Sequence, residues 1–240
     1  PVRPSLWARP DQPRLYRRLA WGDLVSLPVL DGRQYRSPQA CNPPRQSGNR
    51  PRRDCPALIA PDRTMLGAAQ ELWLDRTLKA ERGRWTLLAQ QTVVAPIETP
   101  DGVMSDQWDG YAAARDRLMR SMSRPSVRNA VVLSGDIHAY MVNDLRIGQA
   151  DAAPVATELV TSCLAASHAP PARYGDVRTR NDHVRFADIE RSGYTLIEAR
   201  PRKLDIDLRA VSDQADPKGA TQSLARCVIE DQRPGAKFVV

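Results

Sequence analysis

Apolar residues follow two rhythms along this chain. Leu15–Trp21 and Leu24–Leu30 are apolar runs parted by the turn pair Gly22-Asp23, which predicts two strands joined by a tight connection. Between Thr64 and Glu81 the spacing changes. Met65, Ala69, Leu72, Trp73 and Leu78 recur at helical intervals, so a helix with one buried face is expected, closed by Gly83 as its C′ residue. Trp85–Ala95 reads as a strand stopped by Pro96, and Tyr111–Met122 as a second helix with Leu118, Met119 and Met122 turned inward. Ala130-Val131-Val132-Leu133 has no polar interruption, the signature of a strand covered on both faces. Further strands are expected at Ala139–Leu145, Val155–Thr161, Tyr194–Ala199, Leu204–Val211 and Leu224–Ile229. In one of these, Leu204, Ile206 and Leu208 alternate with Asp205, Asp207 and Arg209, so one face is buried. This order of elements points to α/β layers with substantial antiparallel content.

The stretch from Pro38 to Pro61 breaks both rhythms. It is rich in proline and arginine and reads as a long loop inserted into the domain, of the kind that borders a site or ornaments a surface. It also accounts for the charge. The net charge is +7, but residues 1–63 hold 12 Arg against 5 Asp, and the remainder is balanced. Basic residues among prolines read as a solvated loop more readily than as a nucleic-acid groove. With 42% apolar residues the chain can build a packed core, and no apolar run approaches the length of a membrane span. Cys41 and Cys55 flank the loop, where a disulfide would offset closure entropy and would suit an oxidising compartment. Four cysteines allow three pairings, and two unpaired thiols remain an alternative.

Few kinds of chemistry survive inspection. Neither Gly-x-x-x-x-Gly-Lys-Ser/Thr nor Gly-x-Gly-x-x-Gly occurs, and there is no Gly-x-Ser-x-Gly elbow. The three histidines are His138, His168 and His183; the last two have no placed partner and read as structural or exposed. Asp136 and His138 follow the buried strand directly, and in extended chain residues two apart project to one side, beyond a strand end where α/β folds bind ligands. Carboxylate oxygen and imidazole nitrogen suit a hard or borderline cation, which can polarise a phosphoryl oxygen and lower the pKa of bound water. Gly135 would let backbone approach an ion closely. The competing reading is an Asp capping a loop beside a surface His. Arg33 and Arg36 could grip a phosphate, or simply pair with Asp31. Tyr194 reads as core.

A resemblance sharpens this picture. Trp21-Gly22-Asp23-Leu24, Leu30-Asp31-Gly32-Arg33-Gln34-Tyr35-Arg36, Arg63-Thr64-Met65-Leu66-Gly67, Gln70-Glu71-Leu72-Trp73-Leu74 and Ala89-Gln90-Gln91 occur in that order. Asp106-Gln107-Trp108-Asp109-Gly110-Tyr111, Val131-Val132-Leu133-Ser134-Gly135-Asp136-Ile137-His138, Ala156-Thr157-Glu158-Leu159-Val160 and Arg191-Ser192-Gly193-Tyr194 follow. In this order they resemble the PhoD-type alkaline phosphatase and phosphodiesterase family, within the calcineurin-like metallophosphoesterases, over most of the chain. The resemblance implies an α/β sandwich of two mixed β-sheets flanked by helices, with a centre of two or more metal ions at the strand ends, calcium and iron or another divalent pair. It assigns Asp136 and His138 as metal ligands and places Gln91, Asp109 and Arg33 at the site's edge. Gln91 could instead only bond backbone, and Asp109 only cap the following helix.

The resemblance also implies that residues 1–240 are the C-terminal portion of such a domain, with further ligands supplied by an N-terminal portion absent from this chain. Gly22-Asp23, Gly175-Asp176 and Gly48-Asn49 offer no convincing stand-ins. The expected function is hydrolysis of phosphoester substrates, mono- or diester, by a metal-activated water, in a periplasmic or secreted protein, with nucleic acid at most a substrate. The alternatives are a catalytically inactive half-domain and a basic nucleic-acid-binding module. The second lacks the interleaved aromatics that base stacking requires.

Overall fold

The structure, a computed structural model, describes residues 13–42, 51–148 and 151–239. Its frame is a seven-stranded sheet in which the buried apolar runs occupy the middle. Strands β1 (Arg17–Trp21) and β2 (Val25–Val29) form the expected hairpin, with Gly22 at the left-handed φ of 56° its turn requires. Then β4 (Trp85–Ala89), β6 (Ala130–Ser134) and β8 (Ala156–Val160) run parallel to β2. β7 (Tyr140–Leu145) and β9 (Val184–Asp188) close the far edge antiparallel, giving the order β1-β2-β4-β6-β8-β7-β9. A second sheet of β10 (Gly193–Arg200), β11 (Lys203–Val211), β12 (Thr221–Glu230) and β13 (Arg233–Val239) is antiparallel throughout.

The two sheets pack face to face. Val25, Trp85, Leu87, Val131, Val142 and Leu159 of the larger sheet meet Leu204, Ile206, Leu208, Cys227 and Ile229 of the smaller. The other face of the larger sheet is covered by α1 (Gly67–Lys79) and α2 (Ala112–Met122) through Leu74, Leu78, Leu118, Met119 and Met122. This is the α/β two-sheet sandwich that the resemblance implies. Two-residue strands β3 (Pro51–Arg52) and β5 (Val103–Met104) pair beside it, and two short helices, α3 (Pro171–Tyr174) and α4 (Val177–Arg180), precede β9.

Several elements differ from expectation, each for a local reason. The first helix starts at Gly67, because the Thr64 hydroxyl accepts hydrogen bonds from the Leu66 and Gly67 amides ahead of it. Its buried face includes Gln70, whose amide is consumed by the Asp31 backbone, whereas Leu72 is half exposed. Ala80 caps it, and Gly83 instead donates its amide to Glu81. The Trp85 strand stops at Ala89. Beyond it the chain turns inward, where the Val94 and Ala95 amides donate to Glu158. Residues Trp108–Tyr111 form a 3-10 turn before α2. Tyr194 lies on the outer face of the smaller sheet, exposed rather than core. Cys41 and Cys55 form a disulfide, with Cα atoms 6.2 Å apart, and Cys55 packs with Ala40 and Leu58 into a small core of the inserted loop. Arg45, Gly48, Asn49 and Arg50 of that loop lie outside the described residues.

Candidate active site

Strand β6 ends at Ser134, and Asp136 and His138 follow with left-handed φ values of 76° and 57°. The pair is therefore not presented by extended chain, as alternation would have it. It is presented by a turn in a conformation that non-glycine residues seldom adopt and that persists only when the surroundings enforce it. At Gly135 a Cβ would meet no protein atom nearer than 3.8 Å.

The surroundings are a buried polar floor. Glu158, fully buried in the middle of β8, accepts four hydrogen bonds: from Ser134 Oγ at 2.6 Å, the Val94 amide at 2.7 Å, and the Ala95 amide and Asn143 Nδ2 at 2.9 Å each. Burial raises its pKa in spite of these donors. Ser134 also accepts from Gln90 Nε2 at 2.5 Å, and Gln90 Oε1 accepts from Trp108 Nε1 at 3.1 Å. One carboxylate thus ties the end of β6 to the loop after β4.

Arg33 crosses above this floor. Its guanidinium donates to Asp136 Oδ1 at 2.6 Å and to Asp106 Oδ2 at 2.7 Å. Arg36 adds a 2.9 Å bond to Asp106 Oδ1 and another to the Asp106 carbonyl, and Gln39 Nε2 donates to the same carboxylate. Neither arginine pairs with Asp31, whose carboxylate accepts from the Arg33 and Gln34 amides and so shapes their loop. The loop is held from below by Gln91, which accepts from the Gly32 amide and donates to the Leu30 carbonyl, each at 2.8 Å. Gln91 thus bonds backbone only. Burial raises the pKa of Asp136, with Arg33 opposing it, whereas at Asp106 the two arginines outweigh burial and hold the carboxyl below its usual range.

The ring of His138 has one fixed partner: Nδ1 lies 2.6 Å from the Ser167 carbonyl. A carbonyl only accepts, so Nδ1 carries a proton, and in the neutral ring this leaves the lone pair on Nε2, the arrangement of metal-binding imidazoles. Asp109 is a different case from Asp136. It is buried, its Oδ2 accepts from the Ile97 amide at 3.0 Å and its Oδ1 pairs with Arg115, and it braces the loop before α2. His183 is nearly buried beside Asp182, and its pKa is lowered by burial. His168 does have a partner, Ser192 Oγ at 2.8 Å.

The donor types of Asp136 and His138 suit a metal ion, but two donors do not complete a shell. Among the described residues no three His, Cys, Asp or Glu side chains converge to hold one. Asp106 and Glu158 were not singled out from the sequence. The available signal for Glu158 was a lone carboxylate within an apolar strand; Asp106 had none beyond its place in a matching stretch.

The family model for PhoD-like phosphatase matches residues 1–208. Alkaline phosphatase D of Bacillus subtilis (strain 168) is 30% identical across the whole chain. The solved structure titled "Structure of PhoD" superposes on the whole chain with a TM-score of 0.87 at 29% identity. This chain spans 41% of the first relative and 46% of the second, less than half the length of each.

Proposed function

We propose that this chain, which belongs to the PhoD-like phosphatase family, contributes part of the centre of a metal-dependent phosphoester hydrolase. Asp136 and His138 would supply two of the metal ligands, and donors beyond the described residues would supply the others. The observation that carries the reading is the free Nε2 of His138, fixed by the Ser167 carbonyl, on the same strained turn as the half-buried carboxylate of Asp136. A bound cation there would polarise a phosphoryl oxygen and make a nucleophile of coordinated water. An oxygen and an imidazole ligand fit calcium together with iron, or another divalent pair.

The chain's own contribution is position and charge. Arg33 is held by Asp106 on one side and reaches Asp136 on the other. If Asp136 turned to a cation, the Arg33 guanidinium edge that now bonds it would be freed, and a planar fork of that kind suits the phosphate of a mono- or diester. The Cys41–Cys55 disulfide favours an oxidising compartment and so a periplasmic or secreted protein. No helix among the described residues is long and apolar enough to cross a membrane. A nucleic-acid-binding module gains no support from Arg33, Arg36, Arg52 or Arg53, each already engaged within the chain.

Metal content per chain tests the reading, measured by elemental analysis after equilibration with the candidate metals, beside an Asp136→Ala/His138→Ala form. The expected result is metal in the parent and at least about a tenfold loss of affinity in the double variant, the scale of losing ligand geometry. Equal metal content in the two would overturn the assignment of these residues.

A further inference from the structure

The segment that fixes His138 is itself exposed and irregular. Besides the bond from His138 Nδ1 to the Ser167 carbonyl, the Ala169 amide donates to the His138 carbonyl at 3.2 Å, so residues 167–169 hold both the ring and the backbone of His138. Ser167 and His168 are solvent-exposed and belong to no helix or strand. Their placement comes from the smaller sheet. His168 Nε2 lies 2.8 Å from the hydroxyl of Ser192, a buried residue at the head of β10, and that hydroxyl donates to Gln214 Oε1 at 2.8 Å. With its hydrogen given to Gln214, Ser192 must accept from His168, whose proton is therefore on Nε2. Two further bonds seat the same segment: the Gly193 amide donates to the Cys163 carbonyl at 3.0 Å, and the Cys163 thiol reaches the Ala166 carbonyl at 3.2 Å. His138 and the histidine of the segment that holds it thus sit in opposite tautomers, Nδ1–H at His138 and Nε2–H at His168.

We propose that His168 and Ser192 are positioning residues for His138. By anchoring residues 161–169 to the smaller sheet they keep the Ser167 carbonyl on Nδ1, and so leave Nε2 as the ligand nitrogen. His138 has a left-handed φ of 57°, a conformation that persists where neighbouring contacts hold it. The smaller sheet is then linked to the site by the hydrogen bonds of Ser192 with Gln214 and His168 on one side and from His138 to the Ser167 carbonyl on the other, joined through the Ser167–His168 peptide. This inference rests on the reading of His138 as a metal ligand, and its test separates the two.

The chain has three histidines, so long-range proton–nitrogen NMR on the 15N-labelled, metal-free protein can read the tautomer of each ring. We expect His138 in the Nδ1–H form and His168 in the Nε2–H form. His168→Ala, at an exposed position, should leave the fold intact and convert His138 to a mixture of tautomers. His168→Gln, whose amide can still donate to Ser192, should restore the Nδ1–H form, and Ser192→Ala should behave as His168→Ala does. A His138 ring that stays in the Nδ1–H form in both His168→Ala and Ser192→Ala overturns the proposal. Titration with Zn2+ then reads the ligand assignment separately. A shift at His138 Nε2 in the parent, with affinity about tenfold weaker in His168→Ala, supports both readings. A His138 signal untouched by Zn2+ in the parent overturns the ligand assignment, while the metal-free spectra still decide the positioning.

Discussion

Two buried glutamates, Glu158 in β8 bonded to Ser134 at the end of β6, and Glu81 in the connection between α1 and β4 bonded to the β1–β2 hairpin, have opposite electrostatic characters. Glu158 accepts only from neutral donors: two backbone amides, a serine and an asparagine. Glu81 accepts from the Ser26 hydroxyl at 2.5 Å and from the amides of Arg82 and Gly83, and in addition meets the guanidinium of Arg18 at 3.0 Å. Burial pushes both pKa values up. At Glu81 the cation and the other donors reverse the shift and bring it down to about 2, whereas at Glu158 burial wins and the pKa is raised. The number of bonds differs little, five at Glu81 with the second Arg18 bond included and four at Glu158. Burial weighs on both, and only Glu81 has a cationic partner, which favours the ionised carboxylate.

The largest effect is expected from removing the floor of the site. Glu158→Ala leaves the Val94 and Ala95 amides and Asn143 without an acceptor in a dry interior, and a cavity besides. A loss of about 3–5 kcal/mol is expected, the scale for leaving several buried polar groups unpaired beside a new cavity, read by denaturant unfolding. A loss below about 1 kcal/mol, the scale of one ordinary hydrogen bond, would show that water or another side chain replaces the carboxylate. The pH dependence carries a sign as well. Because its folded pKa is raised, Glu158 makes the native state bind its proton more tightly than the unfolded chain does. Stability from this group is therefore present at low pH and is lost as pH rises above 4.5, its ordinary value, through the raised one.

The same contrast explains what was legible in the sequence. Leu204, Ile206 and Leu208 are buried as their alternation requires, because β11 has one covered face and every second residue meets it. The Asp136-Ile137-His138 motif was visible because both residues lie within one short run. The residues around it were not, because their partners come from afar: Arg33, which bonds Asp136, is joined to Asp106 across 73 positions, and Arg36 and Gln39 reach Asp106 across 70 and 67. Buried polar residues also defeat a hydrophobic count. Gln70 faces inward on α1 where Leu72 was expected, since its amide satisfies backbone at Asp31 and Leu66. Strand β13 escaped notice because Arg233, Gly235 and Lys237 interrupt any apolar period on an edge strand with exposed side chains.

A smaller effect is expected at the hairpin. Glu81→Gln keeps the shape of the side chain but removes the charge that its donors favour, and about 2 kcal/mol is expected to be lost at neutral pH. The sign is opposite to that at Glu158. With a folded pKa of about 2 against an ordinary 4.5, Glu81 contributes stability that is present above 4.5 and is lost as pH falls toward 2. The gap between parent and Glu81→Gln should therefore narrow across that window, measured as unfolding free energy at a series of acid pH values. A gap of constant size from pH 7 downward would mean that shape, rather than charge, is what Gln fails to reproduce.

Arg18→Gln isolates the cation and is expected to matter least. Its side chain is 39% exposed while that of Glu81 is fully covered, so water competes for the guanidinium but not for the carboxylate. The exposed partner of such a pair is worth at most about 1 kcal/mol, and salt should weaken its contribution. Because Ser26 and the amides of Arg82 and Gly83 remain, Glu81 stays hydrogen-bonded in this variant and becomes, in kind, a second Glu158. Its acid-limb contribution should then shrink or reverse, even though the loss of stability at neutral pH is small. Following the unfolding free energy of Arg18→Gln across the acid range separates the two accounts. A profile unchanged from the parent would mean that the neutral donors alone hold Glu81 ionised, and the difference between the two glutamates would then lie in the depth of burial rather than in the charge of the partner.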